Sequence, residues 1–365
     1  MTESIVRVNG PAPYDVVIGH GLADRLPGLV GDRAARVALI FAGDLGDQAE
    51  HVAAALAEHY DVHAFGLPSG EQAKTYDIAV QCWEALGEAG FTRSDVVVTF
   101  GGGATTDVGG FVAATWLRGV RVVHVPTTLL AMVDAAVGGK TGINTSSGKN
   151  LVGSFHEPAG VLCDLDLLRT LPREELVAGM GEVVKCGFIA DPEILRLVEE
   201  TETITADSEV IAELVERSVR VKAEVVAGDL KETGGGEGHP GREALNYGHT
   251  LAHAIEKHSG YQVRHGEAVA VGCVYAAELA RLAGVLSDDV AARHQPLFAK
   301  VGLPTTVAET DTKATFDDLI GAMRVDKKAR GNTLRFLVLH DLATPRILTA
   351  PDEETLRKAY DAVAG

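Results

Sequence analysis

The stretch Asp95-Val96-Val97-Val98-Thr99-Phe100-Gly101-Gly102-Gly103-Ala104-Thr105-Thr106-Asp107 decides how the chain is read. Residues 95–100 form a β-branched, aromatic run of strand length, the pattern of a central strand. The run passes straight into three glycines, and a helix is expected from there to about Trp116. Strand, glycine loop and helix in that order can hold a pyrophosphate. The glycines let backbone N–H groups approach the anion, and the helix N-terminus adds positive dipole. Gly101-x-Gly103-x-x-Thr106 departs from G-x-G-x-x-G at its last position. From this stretch alone, a phosphate loop and a tight strand-to-helix turn both stand.

The flanking sequence extends the pattern. Upstream, Ala35–Phe41 and Val62–Gly66 read as strands and Asp47–His59 as a helix. The loop Pro68-Ser69-Gly70-Glu71-Gln72-Ala73-Lys74-Thr75 feeds a second helix, 75–90. Ser4–Val8 and Asp15–Gly19 read as short strands about the turn Asn9-Gly10-Pro11. Downstream, Arg121–Val125 is a strand ending at Pro126-Thr127-Thr128, and Val161–Leu168 is the last. Alternation of this kind implies βαβ units around a mostly parallel sheet. Between these last two strands lies a polar, glycine-rich segment, Asp134 to Asn150. Its Gly139-Lys140-Thr141 has the end of a Walker A loop but Asp134 where the first glycine belongs, which excludes a P-loop. Lys140 and Lys149, each beside glycine, suit an oxyanion.

Leu171-Pro172-Arg173-Glu174 marks a boundary, since proline favours a helix start. We therefore expect an α/β domain over 1–171 and a mainly helical domain over 172–365. Helices are expected at 174–186, 192–200, 210–227, 250–258, 267–283, 291–301, 315–323 and 353–364. Leu334–His340 with Arg346–Thr349 reads as a small hairpin, and Asp326-Lys327-Lys328 as a polar turn.

Composition narrows the function. The chain has 365 residues, with 33 basic and 51 acidic side chains and a net charge of −18. Such a surface repels nucleic acid and anionic membrane, so neither is expected as a partner. No apolar run reaches membrane-spanning length. The N-terminus lacks the regions of a signal peptide. Four widely spaced cysteines without C-x-x-C read as reduced core residues of a cytoplasmic protein. Lysines grouped with glycines stand out against this acidic background as local anion sites.

Chemistry gathers in the second half. His249 and His253 lie four apart, on one face if the segment is helical. His265 follows, ahead of the apolar run Ala268–Ala280. Three histidines beside Asn246 and Glu267 suit a metal ion; they equally suit core imidazoles bonded to backbone. Upstream, Glu182 and Lys185 are three apart in an apolar segment, where buried charges are unusual unless paired or bound. A Glu with two His would leave coordination positions open, as a catalytic metal needs.

Taken in order, the motifs closely resemble 3-dehydroquinate synthase, in the sugar phosphate cyclase superfamily. They are Gly70-Glu71-Gln72-x-Lys74, Gly101-Gly102-Gly103 to Asp107, Arg118-Gly119-Val120, Val125-Pro126-Thr127-Thr128-Leu129-Leu130, Val133-Asp134 to Lys140-Thr141, and Gly148-Lys149-Asn150. There follow Glu182-Val183-Val184-Lys185, Lys222-Ala223-Glu224-Val225-Val226, Leu245-Asn246-x-Gly248-His249-Thr250-x-x-His253, His265-Gly266-Glu267-Ala268-Val269 and Asp326-Lys327-Lys328. Each is weak alone; the ordered set is specific and spans nearly the whole chain.

The resemblance implies an NAD-binding α/β domain, a helical metal domain, and an active site between them. It implies Glu182, His249 and His265 as ligands of one divalent ion, zinc or cobalt, with His253 an active-site neighbour. NAD contacts are carried over to Ser69, Gly70, Glu71, Gln72, Lys74, Gly102, Gly103, Ala104, Thr105, Thr106, Asp107, Thr127, Thr128, Lys140 and Lys149. Substrate contacts and chemistry fall to Asp134, Lys140, Lys149, Asn150, Lys185, Lys222, Glu232, Arg242, Asn246, His253 and Lys327. Arg118 resembles a residue lent to the neighbouring subunit's phosphate site, which implies a homodimer. Two features depart from the family pattern. Thr105-Thr106 precedes the aspartate where a small or apolar residue and glycine are usual, and the glycine-rich loop before Arg242 is longer.

The implied reaction turns 3-deoxy-D-arabino-heptulosonate 7-phosphate into 3-dehydroquinate and phosphate. It runs through transient oxidation by NAD, phosphate elimination, re-reduction and an intramolecular aldol. A basic cluster in an acidic protein fits a substrate bearing phosphate and carboxylate. Arg242 with Lys222 would favour this sugar over sedoheptulose 7-phosphate, which lacks the carboxylate. The alternatives are a sister cyclase acting on another sugar phosphate, a metal-dependent polyol dehydrogenase, and a non-catalytic relative. The intact ligand set disfavours the last.

Overall fold

The computed structural model describes residues 3–234, 240–312, 314–326 and 334–365. Its contacts divide the chain into two compact units. One is Met1–Pro172 with Lys222–Lys231; the other is Arg173–Val221 with Glu232–Gly365.

The first unit is built on a seven-stranded sheet. Its strands are β1 (Ser4–Val8), β2 (Tyr14–Gly19), β3 (Arg36–Ala42), β4 (Asp61–Leu67), β5 (Val96–Gly101), β6 (Arg121–Pro126) and β9 (Gly160–Asp164), in the order β1-β2-β9-β6-β5-β3-β4. Only the β1–β2 pair is antiparallel. The apolar runs of β3 and β5 are explained by burial on both faces. Ala38, Ile40 and Val97 pack into one core layer with Val108 and Val112 of the Gly103–Thr115 helix. Val37, Leu39, Val96, Val98 and Phe100 pack into the opposite layer. Asp95 ties β3 to the approach to β5: its carboxylate accepts from the backbone of Ala35, Arg36 and Thr92 and from the Thr92 hydroxyl, at 2.7 to 3.2 Å. In β6, His124 is buried with Nδ1 2.8 Å from the Thr99 hydroxyl.

Two features of this unit differ from the sequence reading. The polar segment after Asp134, to which the pattern assigns no strand, carries β7 (Lys140–Thr145) and β8 (Gly148–Phe155), which form an antiparallel hairpin. Glycine is weak in strands, but Gly142 and Gly153 face each other where the backbones pass too close for a side chain. The last strand also stops at Asp164, not Leu168. The Asp164 carboxylate accepts from Gly21, Leu22 and Asp166, and a 3-10 turn, Leu165–Thr170, takes over.

The second unit is mainly helical, with a small hairpin of β10 (Arg335–Asp341) and β11 (Thr344–Thr349). Its Arg173–Ile189 helix is buried over most of its length. The His249–His258 and His265–Leu282 helices each begin on a histidine, slightly earlier than the sequence pattern suggested. Gly248 precedes the first in a left-handed conformation (φ 79°), where a side chain would also strike Cys273. Among the described residues, no helix is long and apolar enough to cross a membrane.

Candidate active site

In the first unit, β5 delivers the glycine loop to the sheet's switch point. The chain leaves β3 for β4 on one side and returns to β5 on the other, so the carboxyl ends of β3 and β5 flank the place where α/β sheets bind ligands. Gly102 caps the Gly103–Thr115 helix, and its carbonyl accepts from Thr105 and Thr106. Cβ atoms at Gly102 and Gly103 would crowd Thr128 and Ala135, at 3.1 and 3.2 Å. The Thr105 side chain packs on Gly101, and the Thr106 hydroxyl donates back to the Gly103 carbonyl at 2.9 Å. Both threonines are thus engaged within the loop and its helix. Thr127 donates to the Gly101 carbonyl at 3.0 Å, and the Thr128 hydroxyl accepts from Ala131.

Around this loop the charges are paired. Lys74, 2% exposed, donates to Asp107 at 2.6 Å and to the Asn150 side-chain oxygen at 2.5 Å. Glu71, in the short Gly70–Ala73 turn with Gln72, accepts from Asn144 at 2.6 Å and lies 3.3 Å from Lys149. Burial opposes ionisation of Glu71, but Lys74, Asn144 and Lys149 hold its carboxyl below the usual range. Asn150 has φ 56° and donates its N–H to Asn144. Lys222 binds both the carbonyl and the carboxylate of Asp134. Lys140 is exposed on β7. Arg118 is not brought to this group. It lies exposed beyond the far end of the thirteen-residue Gly103–Thr115 helix, about 20 Å from the loop at 1.5 Å per residue.

In the second unit, three side chains converge. Glu182 comes from the Arg173–Ile189 helix, and His249 and His265 from the first residues of their helices. Their ligand atoms lie within 4.8 Å of one another. Glu182 Oε2 pairs with Lys185, whose ammonium also donates to the Leu245 carbonyl at 2.6 Å. Glu182 Oε1 is buried without a hydrogen-bond partner. It faces His265 Nε2 at 3.5 Å and His249 Nε2 at 3.7 Å. Two atoms each 2.0–2.1 Å from a tetrahedral ion stand roughly 3.3 Å apart, so this donor set suits a zinc-type ion better than a mutual hydrogen bond.

The surroundings act differently on each of the three. Burial disfavours the Glu182 carboxylate, yet Lys185 and the two imidazoles hold its pKa well below the usual range. Burial and Lys185 hold His249 well down, keeping it neutral. His265, despite burial, is pushed up to about 10 by Glu182 and Glu256. A backbone contact sets the spacing: a Cβ on Gly181 would meet the Gly266 carbonyl at 2.6 Å, and one on Gly266 would meet that of Ala178 at 1.7 Å. The adjoining residues of those glycines are Glu182 and His265.

Other expected residues lie on the His249–His258 helix and in the turn before it. His253 is exposed one turn from His249, ring centroids 5.4 Å apart. Asn246 donates to Glu232 at 2.8 Å. Arg242, 2% exposed, lies in the 3-10 turn Gly241–Asn246. Lys327 and residues 235–239 of the lengthened loop lie outside the described residues.

Sequence reasoning missed Asp44 and a support beneath His249. Asp44 follows β3 at the switch point and accepts from Ser69 at 2.5 Å. A carboxylate just past a buried strand was the available signal. His294, stacked on Phe188 at 3.6 Å, bonds the Tyr247 hydroxyl at 2.8 Å, while the Tyr247 carbonyl faces His249 Nδ1 at 3.1 Å. Nothing in the spacing of His294 signals that link.

A doubly wound sheet with a glycine loop, joined in one chain to a mainly helical unit, is a fold shared with solved synthases and dehydrogenases. Solved 2-deoxy-scyllo-inosose synthase, complexed with carbaglucose-6-phosphate, NAD+ and Co2+, shares the fold at a TM-score of 0.88 and 24% identity, covering 99% of this chain and 100% of that one. The 2-epi-5-epi-valiolone synthase of Streptomyces hygroscopicus, with NAD+ and Zn2+ bound, follows at 0.85 and 24%, covering 96% of each. Residues 64–178 match the family model of the 3-dehydroquinate synthase N-terminal region, and residues 179–329 that of the C-terminal region. The 3-dehydroquinate synthase of Saccharopolyspora erythraea is 56% identical over 100% of this chain and 96% of its own. That of Streptomyces avermitilis is 53% identical over 100% and 99%. The chain belongs to the 3-dehydroquinate synthase family.

Proposed function

We propose that the chain converts 3-deoxy-D-arabino-heptulosonate 7-phosphate to 3-dehydroquinate and phosphate, as an NAD- and metal-dependent carbon–oxygen lyase. The observation that carries this reading is the Glu182–His249–His265 convergence, with one carboxylate oxygen left for an ion, in a chain more than half identical to enzymes of that name. When bound, NAD would take a hydride from the substrate's C5 and return it after phosphate has left, and one divalent ion, zinc or cobalt, would polarise the C5 oxygen, so no net redox would occur. The residues of the chain hold and orient the substrate. Lys185, anchored by Glu182 Oε2 and the Leu245 carbonyl, would hold an ammonium beside an ion bound at the other carboxylate oxygen. Glu232 orients the Asn246 amide, and exposed His253 stands one turn from His249, where a proton can be passed.

Asp134, Lys140, Asn150, Lys222, Arg242 and Lys327 are the remaining substrate contacts of this reading. The loop residues from Ser69 to Lys74, 102–107, Thr127, Thr128, Lys140 and Lys149 are its NAD contacts. Buried Arg242 would lie against the carboxylate. Binding sedoheptulose 7-phosphate there would forgo the contact between that guanidinium and a carboxylate. The test follows phosphate release and net NADH together on both sugars. We expect phosphate without accumulated NADH, and a clear preference for the acid. Stoichiometric NADH would assign a dehydrogenase; equal use of the neutral sugar would assign a sister cyclase.

We further propose a homodimer in the cytoplasm. Four buried cysteine thiols fit a reducing compartment. Leu117, next to Arg118, and Leu151 and Phe155, on one face of β8, are 39–62% exposed, apolar surface that a second copy would cover. Mixing inactive Arg118→Ala and Lys185→Ala proteins should restore activity in hybrid dimers. A fully active monomer by sedimentation would refute the dimer.

A further inference from the structure

The two imidazoles of the cluster are backed by different groups. His249 Nδ1 faces a neutral acceptor, the Tyr247 carbonyl, at 3.1 Å. His265 Nδ1 faces a carboxylate, Glu256 Oε2, at 3.3 Å. Glu256 is 7% exposed and sits in the His249–His258 helix, seven residues after His249 and so two turns along the same face. Its backbone is pinned where the helix turns over: its carbonyl accepts from the Ser259 hydroxyl at 3.0 Å and from the Tyr261 N–H at 2.7 Å. One helix therefore carries one candidate ligand and the outer partner of the other.

A neutral imidazole has one N–H and one lone pair. An acceptor at Nδ1 keeps the proton there and leaves the Nε2 lone pair for an ion. Both histidines have such an acceptor at Nδ1. A carboxylate also strengthens the imidazole as a donor and fixes its ring plane, which a carbonyl does less well.

We propose that Glu256 is a positioning residue of the metal centre, whose carboxylate orients His265 through Nδ1 and makes it the stronger of the two histidine donors. This rests on the reading of Glu182, His249 and His265 as ligands. The test uses full-length apoprotein titrated with Zn2+ against a chromophoric chelator, and the visible absorption of the Co2+-loaded protein. Glu256→Gln keeps shape and an acceptor oxygen but removes the charge; it should weaken zinc binding about tenfold and shift the cobalt spectrum. Glu256→Ala should weaken binding by about 10- to 100-fold. Glu256→Asp should recover part of the loss if its carboxylate still reaches Nδ1. Zinc affinity and cobalt spectrum of Glu256→Gln identical to those of the unsubstituted protein would overturn the proposal, whatever the stability of the alanine variant. If the unsubstituted protein fails to bind zinc one-to-one, or His249→Ala binds it equally well, the ligand reading itself falls instead.

Discussion

Buried charge is handled in opposite ways in the two units. In the first, Asp95 receives four donors, and Lys74 is held by Asp107 and Asn150. In the second, Glu182 binds Lys185 through one oxygen and turns the other, without a hydrogen bond, toward two imidazoles. A satisfied carboxylate such as Asp95 holds the fold together. A carboxylate left half-satisfied at this burial is a cost the fold carries for an incoming partner.

The sharpest way to break this contrast is to remove a donor from the open site. His249→Ala should lose metal affinity by more than the 10- to 100-fold expected for an outer partner, and chelation of the unsubstituted protein should match its loss of activity. Zinc or cobalt should restore only the latter. A metal-free enzyme with full turnover would erase the distinction between the two sites.

The satisfied site should respond in the opposite sense. Asp95→Ala strands several buried backbone donors, so we expect about 2–4 kcal/mol lower unfolding free energy in a urea titration, with zinc affinity unchanged. A variant that stays as stable but loses metal would reverse the roles assigned to the two carboxylates.

The smallest effect concerns two buried histidines, one in each unit. Burial pushes His124 and His294 down to about 3, so both are neutral when folded. The unfolded chain protonates them near the ordinary value of about 6.5 and so binds more protons below that pH. Stability is therefore lost as pH falls from about 6.5 toward 3, by about 2 kcal/mol per histidine at pH 5. His294→Gln should flatten the slope of urea midpoint against pH between 6.5 and 5. An unchanged slope would show that His294 takes up no extra proton on unfolding.

The parts of the molecule differ in how openly the sequence declares them. β3 and β5 are legible because strands buried on both faces must be continuously apolar, and the glycines after β5 because the backbone turns directly into a helix. The β7–β8 hairpin hides behind glycines and polar residues, since its backbones touch and one strand is largely exposed. At the metal cluster, spacing alone joins His249 to His253, because four residues make one helical turn. The partner within ligand distance of Glu182 is His265, brought in from another helix, and the ordered motifs name it where periodicity does not. Glu256 and His294 act across helices, and no local pattern encodes such contacts.

Gly181 and Gly266 meet backbone to backbone, one residue from Glu182 and from His265. The gap between the proposed ligands is thus gauged by main-chain atoms, which give less than side chains do. A single methyl group at either glycine would push the two backbones, and with them Glu182 and His265, apart.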